Sequence, residues 1–299
     1  MSSWGVIYYA TGAQYVAEAT RSARSLKEHN DIDVTIFTDQ NGLDRTCFDC
    51  VEQIDPGEHP FYDRINYFKE SPYDRTLHLD TDTIVIGDIK PIFEMLERFE
   101  VVAAINETRH TASKDHKFDT VNINAPEAFP EYQCGVIGFC NTRRVRELFD
   151  DWQQRYANYL DDFVLDQPFF REAVYNSEID IGTLPSEFNA LLYMGGYFEQ
   201  EVRIVHLAGK KPETLSVPFL RYKNTSKAVK LLNANVPERR VLFYDSWNRL
   251  IVKPTNGNQH RFFWLLKAVE RNGILWASRR AIEKTHEKFK SLLFSQKES

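Results

Sequence analysis

Two aspartates, Asp80 and Asp82, stand inside RTLHLDTDTIVIGDI, residues 75–89, a stretch that otherwise has the apolar character of a buried strand. Leu77 and Leu79 precede the pair, and Ile84, Val85 and Ile86 follow it. Carboxylates held a few ångströms apart in a buried setting cost free energy unless positive charge lies between them. Alternate residues of a strand point to the same side, so Asp80 and Asp82 are expected to converge on one point. Parallel α/β sheets bind ligands beyond the carboxyl ends of their strands. A divalent cation is the simplest partner for two carboxylates there. The plainer alternative is a strand-end turn with solvated aspartates, and the apolar run upstream argues against it.

Two chemistries use D-x-D at such a place. Nucleotide-sugar glycosyltransferases hold a metal on the donor diphosphate with it. Haloacid-dehalogenase-type phosphohydrolases use D-x-D-x-T for a nucleophile and an acid, and Asp80-Thr81-Asp82-Thr83 fits that spelling. That motif normally lies on the first strand of its fold, whereas here at least two strands precede it. YLDDFVLD, residues 159–166, imitates the later acidic motif of that class, but in a helical context.

The elements that must position the pair follow from hydrophobic periodicity. WGVIYYA (Trp4–Ala10) is a short apolar β-run. From Tyr15 to Asn30, Val16, Ala19, Ala23 and Leu26 recur at helical spacing, with Arg21, Arg24 and Lys27 off that stripe. DVTIFTD (Asp33–Asp39) is a second strand, and a helical stretch around Arg64–Lys69 leads into a strand over Thr76–Leu79. VVAAIN (Val101–Asn106) and GVIGFC (Gly135–Cys140) are further strands, the second with Cys134 and Cys140 on one face. VRELFDDWQQRYANYL is an amphipathic helix, and VLFYDSWNRLIVKP a hairpin about Asp245–Asn248. Glu107–Glu131 reads as a long polar surface loop. Strands alternating with helices imply an α/β fold, a mostly parallel sheet covered on both faces.

Size and charge bound the function. The 299 residues suffice for one large α/β domain or two smaller ones. A net charge of −6 does not favour nucleic acid. No basic segment followed by an apolar run opens the chain, and no window has the apolar length of a membrane span. Four cysteines are too few for a disulfide scaffold, and Cys47-x-x-Cys50 has no second pair at zinc spacing, so all four are expected as structural thiols. Two glycosylation sequons, at Asn106 and Asn224, are read as accidental.

The ordered set of motifs resembles GT-A glycosyltransferases, specifically those similar to glycosyltransferase family 8, from about Trp4 to Pro212. SPYDRTLHLDTDTIVIGDI looks like the D-x-D region, with Thr81 between the acids. YYATGAQY resembles the first strand and loop, which implies Ala10, Thr11 and Gly12 against the nucleoside. FTD ends the second strand and would put Asp39 near base or ribose. Arg64, sixteen residues before Asp80, matches a donor-binding arginine; the plain alternative is a surface helix arginine. YQCGVIGF resembles the N-x-G-V segment that lines the donor sugar, here Gln133, Cys134 and Gly135, with glutamine in place of asparagine. LDQPFFREAVY matches a D-Q motif, which implies Asp166 and Gln167 beside the reacting sugar; the alternative is a helix entry capped by Asp166 and started by Pro168. LPSEFNALLY matches the approach to the last strand of the sheet. HLAGKKP resembles H-x-x-G followed by lysine-proline, here one residue closer. That implies His206 as third metal ligand, with Gly209 and Lys211 at the diphosphate.

The resemblance implies a GT-A, Rossmann-like domain over 1–255 that retains anomeric configuration in moving a sugar, a UDP-hexose in the first instance. The acceptor would be a glycan, lipid or protein. Two carboxylates and an imidazole suit Mn²⁺, or Mg²⁺. The alternatives are the phosphohydrolase, with Asp80 as nucleophile, and a silent sugar-nucleotide binder, for which the Gln133 departure speaks. The segment 256–299 reads as a basic amphipathic helical tail: from Gln259 on, nine Lys or Arg stand against four Glu, among Phe262, Phe263, Trp264 and Trp276. Such a tail suits peripheral contact with an anionic membrane or packing on the domain or a partner subunit. The expected location is cytoplasmic, with or without that contact.

Overall fold

The computed structural model describes residues 3–106, 123–162, 165–191, 196–198, 200–207, 240–244 and 250–254. The expected tail, most of the expected polar loop, Gly209 and Lys211 lie outside them. In chain order the elements are β1 (Trp4–Ala10), α1 (Ala13–Lys27), β2 (Asp33–Thr38), β3 (Cys50–Gln53), α2 (Pro60–Lys69) and β4 (Arg75–Leu79). There follow β5 (Thr83–Val85), α3 (Lys90–Met95), β6 (Val101–Ile105), β7 (Tyr132–Cys140), α4 (Arg143–Tyr156), α5 (Gln167–Asn176) and β8 (Ile181–Leu184). Short strands complete it: β9 (Ala190–Leu191), β10 (Gly196–Phe198), β11 (Ile204–His206), β12 (Arg240–Tyr244) and β13 (Leu250–Pro254).

Seven strands form the main sheet in the order β3-β2-β1-β4-β7-β6-β8. The β1–β2, β2–β3, β1–β4 and β6–β8 pairs are parallel; β7 alone runs against its neighbours β4 and β6. Both faces are covered, which is why β1 reads as an unbroken apolar run. Its alternate residues serve different cores: Val6, Tyr8 and Ala10 pack with the α1 and α3 side, Ile7 and Tyr9 with the α2, α4 and α5 side. Trp152 of α4 and Phe170 of α5 fill the second core, their ring centroids 4.6 Å apart. The α1 stripe holds as read, with Ala19, Ala23 and Leu26 fully buried.

Three local outcomes differ from the sequence reading. The helix begins at Ala13 and ends at Lys27. The strand carrying GVIGFC begins at Tyr132, and its pairing with β6 shifts register between Ala103 and Ile105. This irregularity breaks the side-chain alternation, so Cys134 packs in one core and Cys140 against the other, not on one face. The polar stretch after β6 was expected at the surface through Glu131, yet Glu131 is 1% exposed. All four cysteines are free thiols. The expected hairpin is present as antiparallel β12 and β13. Among the described residues no helix is long and apolar enough to cross a membrane.

Candidate functional site

β4 ends at Leu79, and the next three residues form a tight turn into β5. Asp80 and Asp82 therefore converge through a turn, not through strand alternation. The turn is closed by the Thr83 amide, which donates to the Asp80 carbonyl at 3.1 Å. Thr83 Oγ1 donates to the same carbonyl at 2.8 Å. With that proton spent, Ser22 of α1 must donate to Thr83 Oγ1 (2.7 Å) and the Tyr8 hydroxyl to Ser22 Oγ (2.9 Å). A buried hydroxyl relay thus runs from the core to the backbone of the acidic turn. Burial raises the Tyr8 phenol well above its ordinary value and keeps it a donor.

His206 reaches the pair by a separate small sheet, β5-β11-β9. Antiparallel register sets His206 opposite Thr83, and the Leu207 amide donates to the Asp82 carbonyl at 3.1 Å. His206 Nε2 lies 3.3 Å from Asp82 Oδ1 and 3.7 Å from Asp80 Oδ2. Its other ring nitrogen is 3.0 Å from Asn189 Oδ1, so Nδ1 carries the hydrogen and Nε2 faces the carboxylates. One donor atom from each of Asp80, Asp82 and His206 falls within 4.8 Å of the others. Burial disfavours charge on His206, but the hydrogen bond and charge of Asp82, then Asp80, outweigh it and raise the imidazole.

Arg64 is no surface arginine. It is 5% exposed on α2, with Nη1 2.6 Å from Asp80 Oδ1 and Nη2 2.6 Å from Asp166 Oδ2. Burial works against its charge, and Asp166 and Asp80 more than restore it. Burial also opposes the Asp80 carboxylate, but Arg64 and then the His78 hydrogen bond hold it well below the usual carboxylate range. His78, buried and lowered by desolvation, donates from Nε2 to Asp80 Oδ1 at 3.1 Å. Burial pushes the Asp166 carboxyl up, and Arg64 offsets only part of that. Asp166 does not cap α5 with its side chain. Its carbonyl accepts from Trp152 Nε1 at 2.9 Å, and its carboxylate faces Arg64.

β7 brings Gln133, Cys134 and Gly135 alongside. The Asp80 amide donates to the Gly135 carbonyl at 2.8 Å. A β-carbon on Gly135 would lie 2.1 Å from His206 Cε1 and 2.8 Å from Asp80 Oδ2, so only glycine leaves the cluster its room. Cys134 turns its thiol into the core, where burial raises it well above the ordinary value. Gln133 donates to Asn106 Oδ1 at 2.9 Å. Gln167 donates to the buried Glu131.

At the same edge of the sheet, Ala10 is buried at the end of β1 and pairs with Thr38. Thr11 and Gly12 follow it. Gly12 has φ of 80°, a backbone state L side chains rarely adopt, and its amide donates to Asp39 Oδ1 at 2.8 Å. That bond lowers the Asp39 carboxyl. Thr81 donates to Glu18 of α1 at 3.3 Å, tying the acidic turn to the helix that starts after Gly12.

Four buried partners were not singled out from the sequence: His78, Asn106, Glu131 and Asn189. His78 carried a signal, since it lies two residues before Asp80 on the same side of β4. Asn106 was read only as the end of the VVAAIN strand and as a sequon, and Glu131 and Asn189 sit in polar or irregular stretches where periodicity says nothing. Among described residues the acids Asp80, Asp82 and Asp166 face one arginine, Arg64, at 2.6 Å from two of them. This donor set, two carboxylates and an imidazole with a surplus of negative charge, fits a divalent cation.

No protein-family model and no curated protein matches the sequence. Solved structures do. The galactosyltransferase LgtC, in complex with donor and acceptor sugar analogs, is 15% identical with a TM-score of 0.54, covering 78% of this chain and 98% of its own. An active-site mutant of LgtC gives the same values. The bifunctional glycosyltransferase WbbM, in its apo form, is 16% identical with a TM-score of 0.51 over 79% of this chain, which spans only half of WbbM. At such identities the likeness establishes architecture: this chain has the mixed α/β fold of GT-A glycosyltransferases.

Proposed function

We propose that the protein is a metal-dependent retaining glycosyltransferase that moves a hexose from a UDP-hexose to a hydroxyl of a glycan, lipid or protein. The convergence of Asp80, Asp82 and His206 beside the Arg64–Asp166 ion pair, at the sheet edge where α/β folds bind ligands, carries this reading. The three donors would hold Mn²⁺ or Mg²⁺, whose charge offsets that of the departing diphosphate when bound. Ala10, Thr11, Gly12 and Asp39 line the nucleoside side. Gly209 and Lys211 are assigned to the diphosphate, and Arg64, Thr81, Gln133, Gly135 and, through its backbone since its thiol faces the core, Cys134 to the donor's remaining contacts. Asp166 orients the sugar or the acceptor, and Gln167 lies beneath the anomeric carbon. The bond from that carbon to the diphosphate breaks, the bond to the acceptor oxygen forms on the same face, and the acceptor proton passes to the leaving oxygen.

The test is direct. With Mn²⁺ the wild type is expected to release UDP from a UDP-hexose, to lose that activity on chelation, and to leave p-nitrophenyl phosphate intact. Phosphomonoester cleavage abolished by Asp80→Asn and untouched by His206→Ala would instead establish the phosphohydrolase. Tight Mn²⁺-dependent UDP-sugar binding with no turnover would establish a silent binder.

Asp166 gives a second check. Asp166→Asn keeps size and an acceptor for Arg64, and is expected to lower kcat tenfold or more, about 1.4 kcal/mol of barrier, with donor affinity little changed. A normal kcat with a lowered melting temperature would leave Asp166 a purely structural anion.

A further inference from the structure

Glu131 is a buried carboxylate outside the metal cluster, 1% exposed. Its Oε1 accepts from Asn106 Nδ2 at 2.7 Å and from Gln167 Nε2. Asn106 Oδ1 accepts from Gln133 Nε2 at 2.9 Å. The backbone is fixed as firmly as the side chains. The Asn106 amide donates to the Glu131 carbonyl at 2.7 Å. Arg171 of α5, the helix that begins with Gln167, donates to the carbonyls of Phe129 and Pro126. The segment that delivers Glu131 is therefore clamped to the helix that delivers Gln167.

The chemistry of the groups gives this network a direction. An ionised carboxylate only accepts hydrogen bonds, whereas a carboxamide has a donor end and an acceptor end. An amide beside Glu131 must turn its NH₂ toward it and its carbonyl away. Gln167 meets Glu131 directly. Asn106 meets it too, so the Asn106 carbonyl must take the NH₂ of Gln133, whose own carbonyl then also points away from the carboxylate. Three amides thus donate in one sense along a chain that ends on one carboxylate. The two glutamines at the ends of this chain are those that border the cluster: Gln133 stands two residues before Gly135, and Gln167 follows Asp166.

We propose that Glu131 is a positioning residue, whose carboxylate fixes the amides of Gln167 and Gln133 so that both present carbonyl oxygens, not NH₂ groups, to the donor sugar. This rests on the transferase reading above. In that reading positive charge develops at the anomeric carbon as its bond to the diphosphate lengthens. A carbonyl dipole turned to that carbon stabilises the charge, and an NH₂ group in its place opposes it. The effect grows in the transition state, so it belongs in kcat and not in donor affinity.

Glu131→Gln tests this with little change of volume. The new amide can donate or accept, so it no longer dictates the orientation of its neighbours. UDP release from UDP-glucose or UDP-galactose with Mn²⁺ is expected to show a kcat lowered at least tenfold. KM and Mn²⁺ affinity should stay within about twofold of wild type. In a Gln167→Ala background the same substitution should lower kcat by clearly less than it does in the wild type, because only the branch through Asn106 and Gln133 then remains for Glu131 to act on. Glu131→Ala leaves a buried void, so the isosteric variant carries the test, with melting temperatures measured on every variant. A melting temperature that falls while kcat stays normal overturns the inference and makes the network structural only. Full additivity with Gln167→Ala overturns it as well. A wild type that turns over no UDP-hexose removes the transferase reading, and this inference with it; a wild type that does, beside an unaffected Glu131→Gln, removes this inference alone.

Discussion

Replacing Arg64 by methionine is expected to lower the melting temperature by roughly 6–12 °C and to abolish turnover. The guanidinium is the shared countercharge of Asp80 and Asp166, each 2.6 Å away. Methionine fills the space of the aliphatic stem but leaves two inward-facing carboxylates unbalanced. Removing one partner of a buried ion pair costs about 3–5 kcal/mol. The lower end applies here, because the Asp80 side chain is 25% exposed and can recover some hydration, whereas Asp166 at 3% cannot. About 3 kcal/mol corresponds to the stated shift at roughly 2–4 °C per kcal/mol. A cation on Asp80 and Asp82 replaces part of the missing charge. Saturating Mn²⁺ should therefore stabilise the variant more than the wild type, without closing the gap, since Asp166 stays unpaired. Differential scanning fluorimetry with and without Mn²⁺ reads both effects. An unchanged melting temperature would mean that the triad has no net stabilising role and that Arg64 is retained for ligand binding alone.

The sequence showed the elements better than it showed how they are joined. β1, α1, β2 and β4 are near-complete apolar patterns with periods of 2 or 3.6, and burial on one or both sides writes such patterns directly into the chain. The acidic pair was legible for the same reason: two charges inside an apolar run stand out from it. Its geometry was not. Strand alternation would converge the two aspartates at the end of β4, whereas they meet across the turn 80–82, the strand-end turn of the plainer alternative but with carboxylates paired to Arg64 and His206, and a turn has no period. β7 shows the same limit. Its register shift against β6 breaks a regular alternation that nothing in YQCGVIGF announces, and so moved Cys134 away from the face of Cys140. Arg64 was singled out by likeness, but its partner Asp166 lies 102 residues on, a pairing that only tertiary structure reveals. Glu131 and Asn189 were invisible because a buried polar residue in an irregular segment looks, in sequence, like any loop residue.

The substitution Gly135→Ala should damage the metal cluster through one methyl group. The added carbon falls 2.1 Å from His206 Cε1 and 2.8 Å from His206 Nδ1. Ordinary contact needs more than an ångström beyond the first of these distances. The glycine cannot retreat, because its carbonyl holds the Asp80 amide at 2.8 Å. The imidazole must move instead, away from Asn189 and from the carboxylates it faces. Loss of a hydrogen bond that orients a metal ligand typically costs about 10–100-fold in metal affinity, and displacing the ligand itself is expected to cost at least as much. Mn²⁺ titration by calorimetry should show that loss with the melting temperature of the metal-free protein only modestly lower. The decisive comparison is the double variant. His206→Ala removes the ring that the methyl strikes, so adding Gly135→Ala to it should cost far less than Gly135→Ala costs the wild type. Equal costs in the two backgrounds would show that the methyl acts through Asp80 or the β7 backbone. Undiminished Mn²⁺ affinity in both single variants would take His206 out of the metal site altogether, leaving the cation to the two aspartates.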